Sequence, residues 1–328
     1  MKKQIYICDP KIISKEIAQS VFDAEKYELH FADKKLETQD EIIANCKEAD
    51  ALIVTDCDVT QKVVDSLPNL KYVSGAIIGF NTIDLEATKK AGIAVSNNPR
   101  YCTNEVADHT CALIMTLNRH ILQLNKEVQT EYKWSRGQTI PAINVRRLNT
   151  QILGLFGFGA IAKAVAKRMQ AFGLTVIAYD PYVTKEQAAP LNVEMVDIPE
   201  LCKRANVISI HMPHMASTDK MINKSLFDMM EQKPIIVNCA RGGVINEEDL
   251  AKALDEGKVM AAGLDVVSDE RAPIQESPFI GRDNVIITPH AAYYSYDARI
   301  EMQELGCKHI VWFFEGQKDK CPIVNGVK

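Results

Sequence analysis

Residues 152–162 read ILGLFGFGAIA, and this stretch decides the fold of the chain. An apolar strand is predicted over residues 151–156, and a helix over residues 160–172 follows it after a short turn. Gly157 permits a tight turn there, and Gly159 lets backbone N–H groups approach a pyrophosphate at the start of the helix. The small alanine that ends the stretch lets the helix pack closely on the strand. Glycine-rich turns are common between strands and helices, so the motif needs support from its context.

That context is a carboxylate at the end of the next predicted strand, residues 175–179. Asp180 follows this strand directly, and a carboxylate there accepts hydrogen bonds from the hydroxyls of an adenosine ribose. The same carboxylate repels a 2′-phosphate, and the next residues are Pro181 and Tyr182 rather than an arginine. The pattern therefore predicts a dinucleotide site that prefers NAD to NADP.

Strands and helices alternate on both sides of this motif. Short apolar runs predict further strands at residues 5–8, 51–55, 72–77, 94–96, 207–210, 235–238, 261–264 and 285–287. Helical spacing predicts helices at residues 11–22, 40–49, 61–67, 84–91 and 298–314. Such an alternation is typical of an α/β protein whose parallel sheets carry helices on both faces, and 328 residues suffice for two domains.

One predicted helix is unusually long. Residues 103–131 contain neither glycine nor proline and carry helical spacing throughout, with Thr103 or Asn104 as the expected cap. Its apolar residues either pack across domains or subunits, or belong to the core of a single subunit.

Composition excludes several classes of function. Lys and Arg number 38 against 43 Asp and Glu, a formal net charge of −5, and no basic block suggests nucleic acid or an anionic membrane as a partner. The first ten residues lack the apolar core of a signal peptide, and no apolar run is long enough to span a membrane. The nine cysteines form no C-x-x-C pair and no metal-binding spacing, which favours reduced thiols, a cytoplasmic location and no structural metal.

Polar side chains also follow the later predicted strands. His211, Arg241, Asp265 and His290 each come just after one of them, and Glu270 lies five residues beyond Asp265. Taken alone, each of these residues could also be a helix cap or a solvated surface charge. Because the carboxyl ends of parallel strands share one edge of a sheet, their repeated placement predicts a common cleft that also contains Gly157 and Asp180.

These residue types suit the reduction of a 2-oxo acid by a nicotinamide. Arg241 can bind the substrate carboxylate through two parallel hydrogen bonds. His290 can donate a proton to the developing alkoxide, and Glu270 beside it would raise the pKa of the imidazole. Asp265 is suited to holding the carboxamide of the cofactor.

At this point the chain resembles a known family, the D-isomer-specific 2-hydroxyacid dehydrogenases, from about residue 71 to residue 327. The matching motifs lie at residues 99–112, 154–173 with Asp180, 211–218, 238–242, 263–266 and 288–292. Residues 101–109 and 290–295 are most similar to the branch of the C-terminal-binding proteins, which lies near the 3-phosphoglycerate dehydrogenases.

The resemblance implies a substrate domain made of residues 1–100 and 292–328, into which an NAD domain of residues 101–291 is inserted. It also implies two Rossmann-like or flavodoxin-like parallel sheets, an active site between the domains, and a homodimer formed through the helix at residues 103–131. The family's catalytic Arg, Glu and His correspond to Arg241, Glu270 and His290. Beside Gly157 and Gly159, its cofactor contacts correspond to Ala160, Ile161, Asp180, Met212, Pro213, Thr218, Cys239, Ala240, Arg241 and Asp265.

The substrate loop departs from the family pattern. Where relatives often read GVGYDNID, residues 77–84 read IIGFNTID, so substrate choice stays open although Ile78 and Gly79 remain the expected contacts. Arg100 replaces a small residue of the family and is either a contact to a second anionic group of the substrate or a solvated surface charge.

Two alternatives to a 2-hydroxyacid dehydrogenase remain at this stage. Relatives in the corepressor branch bind NAD(H) as redox-sensing interaction proteins and can keep the same three catalytic residues. A formate dehydrogenase shares the fold, but its family carries glutamine at the position of Glu270. Because the set of Arg241, Glu270 and His290 is complete, the prediction is an NAD-dependent enzyme acting on a small 2-oxo or 2-hydroxy acid, with the NAD(H) sensor as the alternative.

Overall fold

The computed structural model describes residues 1–141 and 144–327. The chain forms two compact units, Met1–Tyr101 together with Tyr294–Lys328, and Cys102–Tyr293. These divisions fall one and two residues after the domain boundaries that the resemblance implies. Within the described ranges, no helix is both long and apolar enough to cross a membrane.

The first segment of the chain alternates strands and helices. Its elements are β1 (Lys3–Ile7), α1 (Lys15–Val21), β2 (Tyr27–Phe31), α2 (Gln39–Asn45), β3 (Ala51–Val54), α3 (Gln61–Ser66), β4 (Tyr72–Gly75), α4 (Leu85–Lys90) and β5 (Ala94–Ser96).

The inserted unit begins with two consecutive helices and continues with a second strand–helix series. Its elements are α5 (Thr103–Asn118), α6 (Ile121–Glu131), β6 (Ile152–Phe156), α7 (Ala160–Ala171), β7 (Thr175–Tyr179), α8 (Lys185–Ala188), β8 (Glu194–Met195), α9 (Ile198–Arg204), β9 (Val207–Ile210), α10 (Lys224–Phe227), β10 (Ile235–Asn238), α11 (Glu247–Asp255), β11 (Ala261–Leu264) and β12 (Val285–Ile287). The chain then returns to the first unit with α12 (Tyr296–Phe314).

The first unit is a parallel sheet in the order β2-β1-β3-β4-β5 with helices on both faces. Alternate strand residues point to opposite faces, so Leu52 and Val54 join the core formed with α2, α3 and α4. On the other face Ile53 lies against α12, where Gly306 allows close approach. Ser74 Oγ donates a hydrogen bond to the carbonyl of Gly306 at 2.7 Å and ties this helix to the sheet.

The inserted unit is a seven-stranded parallel sheet in the order β12-β11-β10-β9-β6-β7-β8. Helices α9, α10 and α11 cover one face and share a buried core with the central strands. Helices α5 and α7 pack against each other, and α5 lies on β10 and β11. The strand order reverses direction between β6 and β9, the point at which open α/β sheets bind ligands. The predicted α/β class with parallel sheets is confirmed.

The long helix predicted over residues 103–131 is two helices, and that prediction was wrong. Arg119 ends α5, and His120 adopts a left-handed conformation with φ of 53° before α6 begins. The ring of His120 contacts Gln123 Oε1 at 2.8 Å, which supports the bend. The expected cap was also displaced by one position, because the N–H of Val106 already bonds to the carbonyl of Cys102 and makes Cys102 the N-cap residue.

Two edge strands and several helix ends also differ from the sequence-based expectation. Strands β2 and β8 were not predicted, and both lie at a sheet edge, where a strand needs little apolar character. Helix α1 begins at Lys15 rather than at residue 11, because Ser14 Oγ accepts the N–H of Ile17 and caps it there.

We predict that Gly154→Ala destabilises the inserted unit. A Cβ at Gly154 in β6 would lie 2.8 Å from Leu201 Cδ2 and 2.9 Å from the Cβ of Ala205, and both of these residues are fully buried. Overpacking of this kind lowers the free energy of unfolding by about 1 to 3 kcal/mol, measurable by urea denaturation.

Gly159→Ala is the matched control for stability. A Cβ at Gly159 meets no heavy atom of the described chain within 4 Å, so the substitution costs only the replacement of glycine at the N-cap of α7, and the free energy of unfolding should fall by no more than about 1 kcal/mol. Equal effects of the two substitutions would contradict the packing argument.

Candidate active site

The turn after β6 lies at the point where the strand order reverses. Gly157 has a φ of +87°, which favours glycine, and a Cβ there would lie 2.7 Å from the carbonyl oxygen of His211. Glycine at this position therefore lets the turn after β6 approach the segment that follows β9.

The N-terminus of α7 faces open space beside this turn. Gly159 is its N-cap residue and supplies no side-chain cap, and Gly159 and Ala160 are exposed while Ile161 is half-buried. The first N–H groups of a 12-residue helix are thus available to an anion, favoured by the partial positive charge at the helix start. These features fit the diphosphate of a dinucleotide.

Asp180 is oriented by the same turn. Its Oδ2 accepts the N–H of Phe158 at 2.8 Å, and its Oδ1 accepts the N–H of Tyr182 at 2.8 Å. Each carboxylate oxygen retains a lone pair for a further donor. The residues around the turn therefore fit the diphosphate and the adjacent ribose diol of NAD.

The segment after β9 is ordered by its own hydrogen bonds. The hydroxyl of Thr218 donates to the carbonyl of Pro213 at 2.6 Å and accepts the N–H of Met215 at 2.9 Å. Met212 is buried. Loss of solvent around the ring of His211 lowers its pKa to about 4, so this imidazole is neutral at physiological pH. His211 lies 2.9 Å from Ser209 Oγ.

Arg241 is positioned by a turn that the side chain of Asn238 forms. Asn238 accepts the N–H of Ala240 at 3.0 Å and donates to the carbonyl of Arg241 at 3.0 Å. One guanidinium nitrogen of Arg241 donates to the carbonyl of Ala240 at 2.6 Å, which leaves other N–H groups of the guanidinium for a ligand. Cys239 is buried, and burial raises the pKa of its thiol to about 12, so it is a neutral side chain.

His290 and Glu270 form a hydrogen-bonded pair. His290 Nδ1 lies 2.8 Å from Glu270 Oε2, and both side chains are more than two-fifths exposed. The hydrogen bond to Glu270 raises the pKa of His290 above its usual value, opposed by partial burial of the ring and by the charge of Arg241. With Nδ1 directed at Glu270, Nε2 is the nitrogen left for a ligand.

Asp265 is the most buried charged group of the site, with 1% of its surface exposed. Its Oδ1 accepts the hydroxyl of Thr288 at 2.5 Å and the N–H of Ala291 at 2.9 Å, and its Oδ2 accepts the N–H of Ala292 at 2.9 Å. A buried carboxylate requires such donors. The carboxylate predicted to hold the cofactor carboxamide thus also holds the backbone on both sides of His290.

The structure brings Arg241, Glu270, Asp265 and His290 together at the carboxyl edge of the inserted sheet. The predicted cofactor residues at 157–161, 180, 212–218 and 239–241 follow strands that end at the same edge. The catalytic and cofactor roles of these residues stay predictions.

The three remaining predicted residues belong to the first unit. Ile78 and Gly79 are half-buried in the loop after β4, and Arg100 is exposed beyond β5. The side chain of Asn97 donates to the carbonyl of Ile78 at 2.7 Å and so supports this loop. The substrate contacts of all three stay predictions.

Sequence reasoning missed His109 and Thr288. Thr288 directly follows β12, as the other polar site residues follow their strands, and that position was a usable signal. His109 lies on α5, and its ring Nε2 is 3.0 Å from Thr288 Oγ1. Nothing in helical spacing distinguishes it from a surface residue.

Most of the inserted unit matches a known protein family. Residues 111–292 match the family described as D-isomer specific 2-hydroxyacid dehydrogenase, NAD binding domain. The chain belongs to this family. The seven-stranded unit therefore carries the family's NAD-binding domain.

Individual relatives extend the match to both units. The chain is 36% identical over 299 residues to a hydroxypyruvate reductase of Thermotoga maritima, covering 90% of this chain and 93% of that protein. It is 39% identical over 264 residues to a D-3-phosphoglycerate dehydrogenase of Methanocaldococcus jannaschii, covering 80% of this chain. The chain spans about half the length of the phosphoglycerate dehydrogenases that it matches.

A solved structure has the same fold over the whole length. The D-lactate dehydrogenase of Aquifex aeolicus, complexed with NAD and lactic acid, superposes with a TM-score of 0.88 at 29% identity over 99% of both chains.

We predict that the His290 imidazole titrates above the usual histidine pKa and that Glu270→Gln lowers this pKa. The substitution removes the negative charge that stabilises the imidazolium, while glutamine keeps the size of the side chain. The measurement is a pH titration of histidine ring resonances by NMR. His211, which stays neutral until about pH 4, is the internal control, and an unchanged His290 pKa in Glu270→Gln would refute the pairing.

Proposed function

We propose that this protein is an NAD-dependent dehydrogenase that interconverts a small 2-oxo acid and the corresponding D-2-hydroxy acid. The observation that carries the proposal is the His290–Glu270 pair beside Arg241, at the edge of a domain of the NAD-binding family. Relatives named as hydroxypyruvate reductase, glyoxylate reductase and D-3-phosphoglycerate dehydrogenase support this reaction class.

His290 would act as the proton donor and acceptor. Hydride chemistry would come from the nicotinamide of NAD(H) when that cofactor is bound. Reduction of a carbonyl carbon leaves an alkoxide that needs one proton, and His290 can hold that proton at Nε2. Glu270 keeps the imidazole charged before the transfer, because its carboxylate stabilises the imidazolium. In the oxidative direction the neutral imidazole would accept the proton from the substrate hydroxyl.

Arg241 would bind and orient the substrate. A guanidinium presents N–H groups in a fork that matches a carboxylate, and its charge polarises an adjacent carbonyl oxygen. The Asn238 turn fixes the main chain of Arg241, so the side chain starts from a defined position.

Cofactor choice rests on Asp180. Its carboxylate lies beside the glycine turn, where it would accept hydrogen bonds from the ribose hydroxyls and repel the additional phosphate of NADP.

The alternative of a non-catalytic NAD(H) sensor receives no support from the relatives above, which are named as dehydrogenases and reductases.

We expect the purified protein to oxidise NADH with at least one member of a panel containing glyoxylate, hydroxypyruvate, pyruvate, larger 2-oxo acids and 3-phosphohydroxypyruvate. His290→Gln should lower kcat by at least about 100-fold because proton transfer is lost. Arg241→Lys should raise the KM for the 2-oxo acid about tenfold or more because the paired hydrogen bonds to its carboxylate are lost.

NADPH should be a poorer cofactor than NADH, measured as kcat/KM for the reduced cofactor with the same 2-oxo acid.

The pH dependence has a defined sign. Reduction requires protonated His290, so kcat/KM should fall as the pH rises through the His290 pKa, and Glu270→Gln should move this fall to lower pH. NADH binding without turnover on any 2-oxo acid of the panel would contradict the proposal.

We further propose a homodimer formed through α6 together with Tyr132 and Trp134, which follow it. Ile121 and Leu122 are about half exposed, Val128 is two-fifths exposed, and Tyr132 and Trp134 follow with most of their surface exposed. A cluster of large apolar side chains at the surface is typical of an interface.

The expected solution mass is that of two chains. Ile121→Glu combined with Val128→Glu should shift it toward one chain, because both substitutions place charge on the same helix face. Leu191→Glu, at an apolar residue of similar exposure elsewhere in the inserted unit, is the control. A monomeric wild-type protein in sedimentation equilibrium at micromolar concentration would exclude the dimer.

A further inference from the structure

A directed chain of hydrogen bonds links α5 to the loop that carries His290. The hydroxyl of Thr288 has a single hydrogen, which it donates to Asp265 Oδ1 at 2.5 Å because an ionised carboxylate can only accept. Its lone pairs must then accept from His109 Nε2, 3.0 Å away. The direction of the chain is therefore His109 to Thr288 to Asp265. A neutral ring with its hydrogen on Nε2 and an imidazolium both satisfy it.

The far end of this chain holds the backbone around His290. Asp265 receives the N–H groups of Ala291 and Ala292 through its side chain, and its carbonyl accepts the N–H of His290 at 2.8 Å. These bonds surround a residue with a φ of 51°, a left-handed conformation that is uncommon in non-glycine residues and that the bonds stabilise.

His109 reaches this network from another element. It lies on α5, which packs on β10 and β11, and about a quarter of its side chain is exposed. Its Nε2 is also 3.6 Å from Asp265 Oδ1, so any positive charge on the ring faces the buried carboxylate directly. Helix α5 is therefore in a position to restrain the loop after β12.

We infer that His109 is a positioning residue that acts through Thr288 and Asp265 to hold His290 in its left-handed conformation, with Nδ1 directed at Glu270. The inference rests on the proposed function for its catalytic consequence, but its structural part concerns the protein without substrate. Without the His109 donor, the Thr288 hydroxyl loses a partner, and the ring nitrogen 3.6 Å from Asp265 Oδ1 is lost as well. The loop then relaxes and the His290–Glu270 bond weakens.

The consequence for His290 follows from the groups that face it. Glu270 and Asp265 favour its imidazolium, Arg241 opposes it, and the ring of Tyr293 lies edge-on at 6.3 Å between ring centroids. A loop displacement weakens the contact with Glu270 first, because a hydrogen bond depends on distance and angle more steeply than the charge interactions do. Loss of His109 should therefore lower the pKa of His290 although the two residues do not touch.

The test compares His109→Phe, which keeps a ring without an N–H donor, with His109→Gln, whose amide can still donate. Thr288→Val, which removes the hydroxyl, and Thr288→Ser, which keeps it, form the matching pair at the middle of the hydrogen-bond chain. We expect His109→Phe and Thr288→Val to lower the His290 pKa in NMR titrations of the substrate-free protein, and Thr288→Ser to keep it near the wild-type value. His109→Gln should recover at least part of the shift.

Kinetics and binding separate positioning from a general loss of structure. His109→Phe and Thr288→Val should lower kcat for 2-oxo acid reduction about 10- to 100-fold, with the fall of kcat/KM moved to lower pH and NADH affinity reduced less than kcat. The double variant should be no worse than the poorer single variant, because both substitutions interrupt one chain. His30→Phe, which removes a histidine hydrogen bond to Gln4 in the first unit, is the control for the loss of an imidazole.

The two proposals fail in different ways. A wild-type protein without turnover contradicts the dehydrogenase proposal, while the NMR comparison still decides the role of His109. A His290 pKa that is the same in His109→Phe, Thr288→Val and the wild type overturns the positioning role, whatever the activity. An equal loss of kcat in His109→Phe and His30→Phe overturns it as well.

Discussion

Parallel pairing of the strands is the constraint on which the rest of this structure depends. A parallel neighbour is reached only by a crossover, so helices must cover the sheet and all strands must end at the same edge. In the inserted unit the order reverses between β6 and β9, the point at which open α/β sheets bind ligands. Gly157, Asp180, Arg241 and Asp265 are far apart in the chain, yet each follows a strand that ends at this edge. The topology therefore assembles the candidate site before any side chain makes a contact.

Burial of Asp265 links the stability of that edge to its chemistry. A carboxylate with 1% of its surface exposed is strongly destabilising unless donors surround it. The donors are the N–H groups of Ala291 and Ala292 and the hydroxyl of Thr288, all from the segment that carries His290. This charge is therefore satisfied only when the segment is in place. The left-handed backbone of His290, which costs about 1 to 3 kcal/mol on its own, is offset by the same bonds.

Opposite electrostatic environments distinguish the two histidines at this edge. His211 follows β9 and is half-buried without a carboxylate partner among its described hydrogen bonds, so desolvation of the ring lowers its pKa to about 4. His290 follows β12 and bonds to Glu270, so its pKa rises. Both histidines follow a strand in the sequence, and only the surroundings of each ring separate a neutral imidazole from a proton donor. The two carboxylates differ in the same way: Asp180 is half-buried with one protein donor on each oxygen, while Asp265 is 1% exposed with three protein donors.

The sequence by itself determined the α/β class, the parallel sheets, the central strands and the residues that follow them. Strands β7, β9, β10 and β11 match their predicted bounds because buried parallel strands are short apolar runs, and the edge strands β5 and β12 match theirs because they are apolar as well. The edge strands β2 and β8, the bend at His120 and the His109–Thr288–Asp265 chain were decided by the tertiary structure alone. Strands β2 and β8 are specified by pairing with β1 and β7, and the bend is supported by side-chain contacts that helical spacing does not contain. The hydrogen-bond chain joins α5 to the ends of β11 and β12, so it exists only once α5 has packed on the sheet.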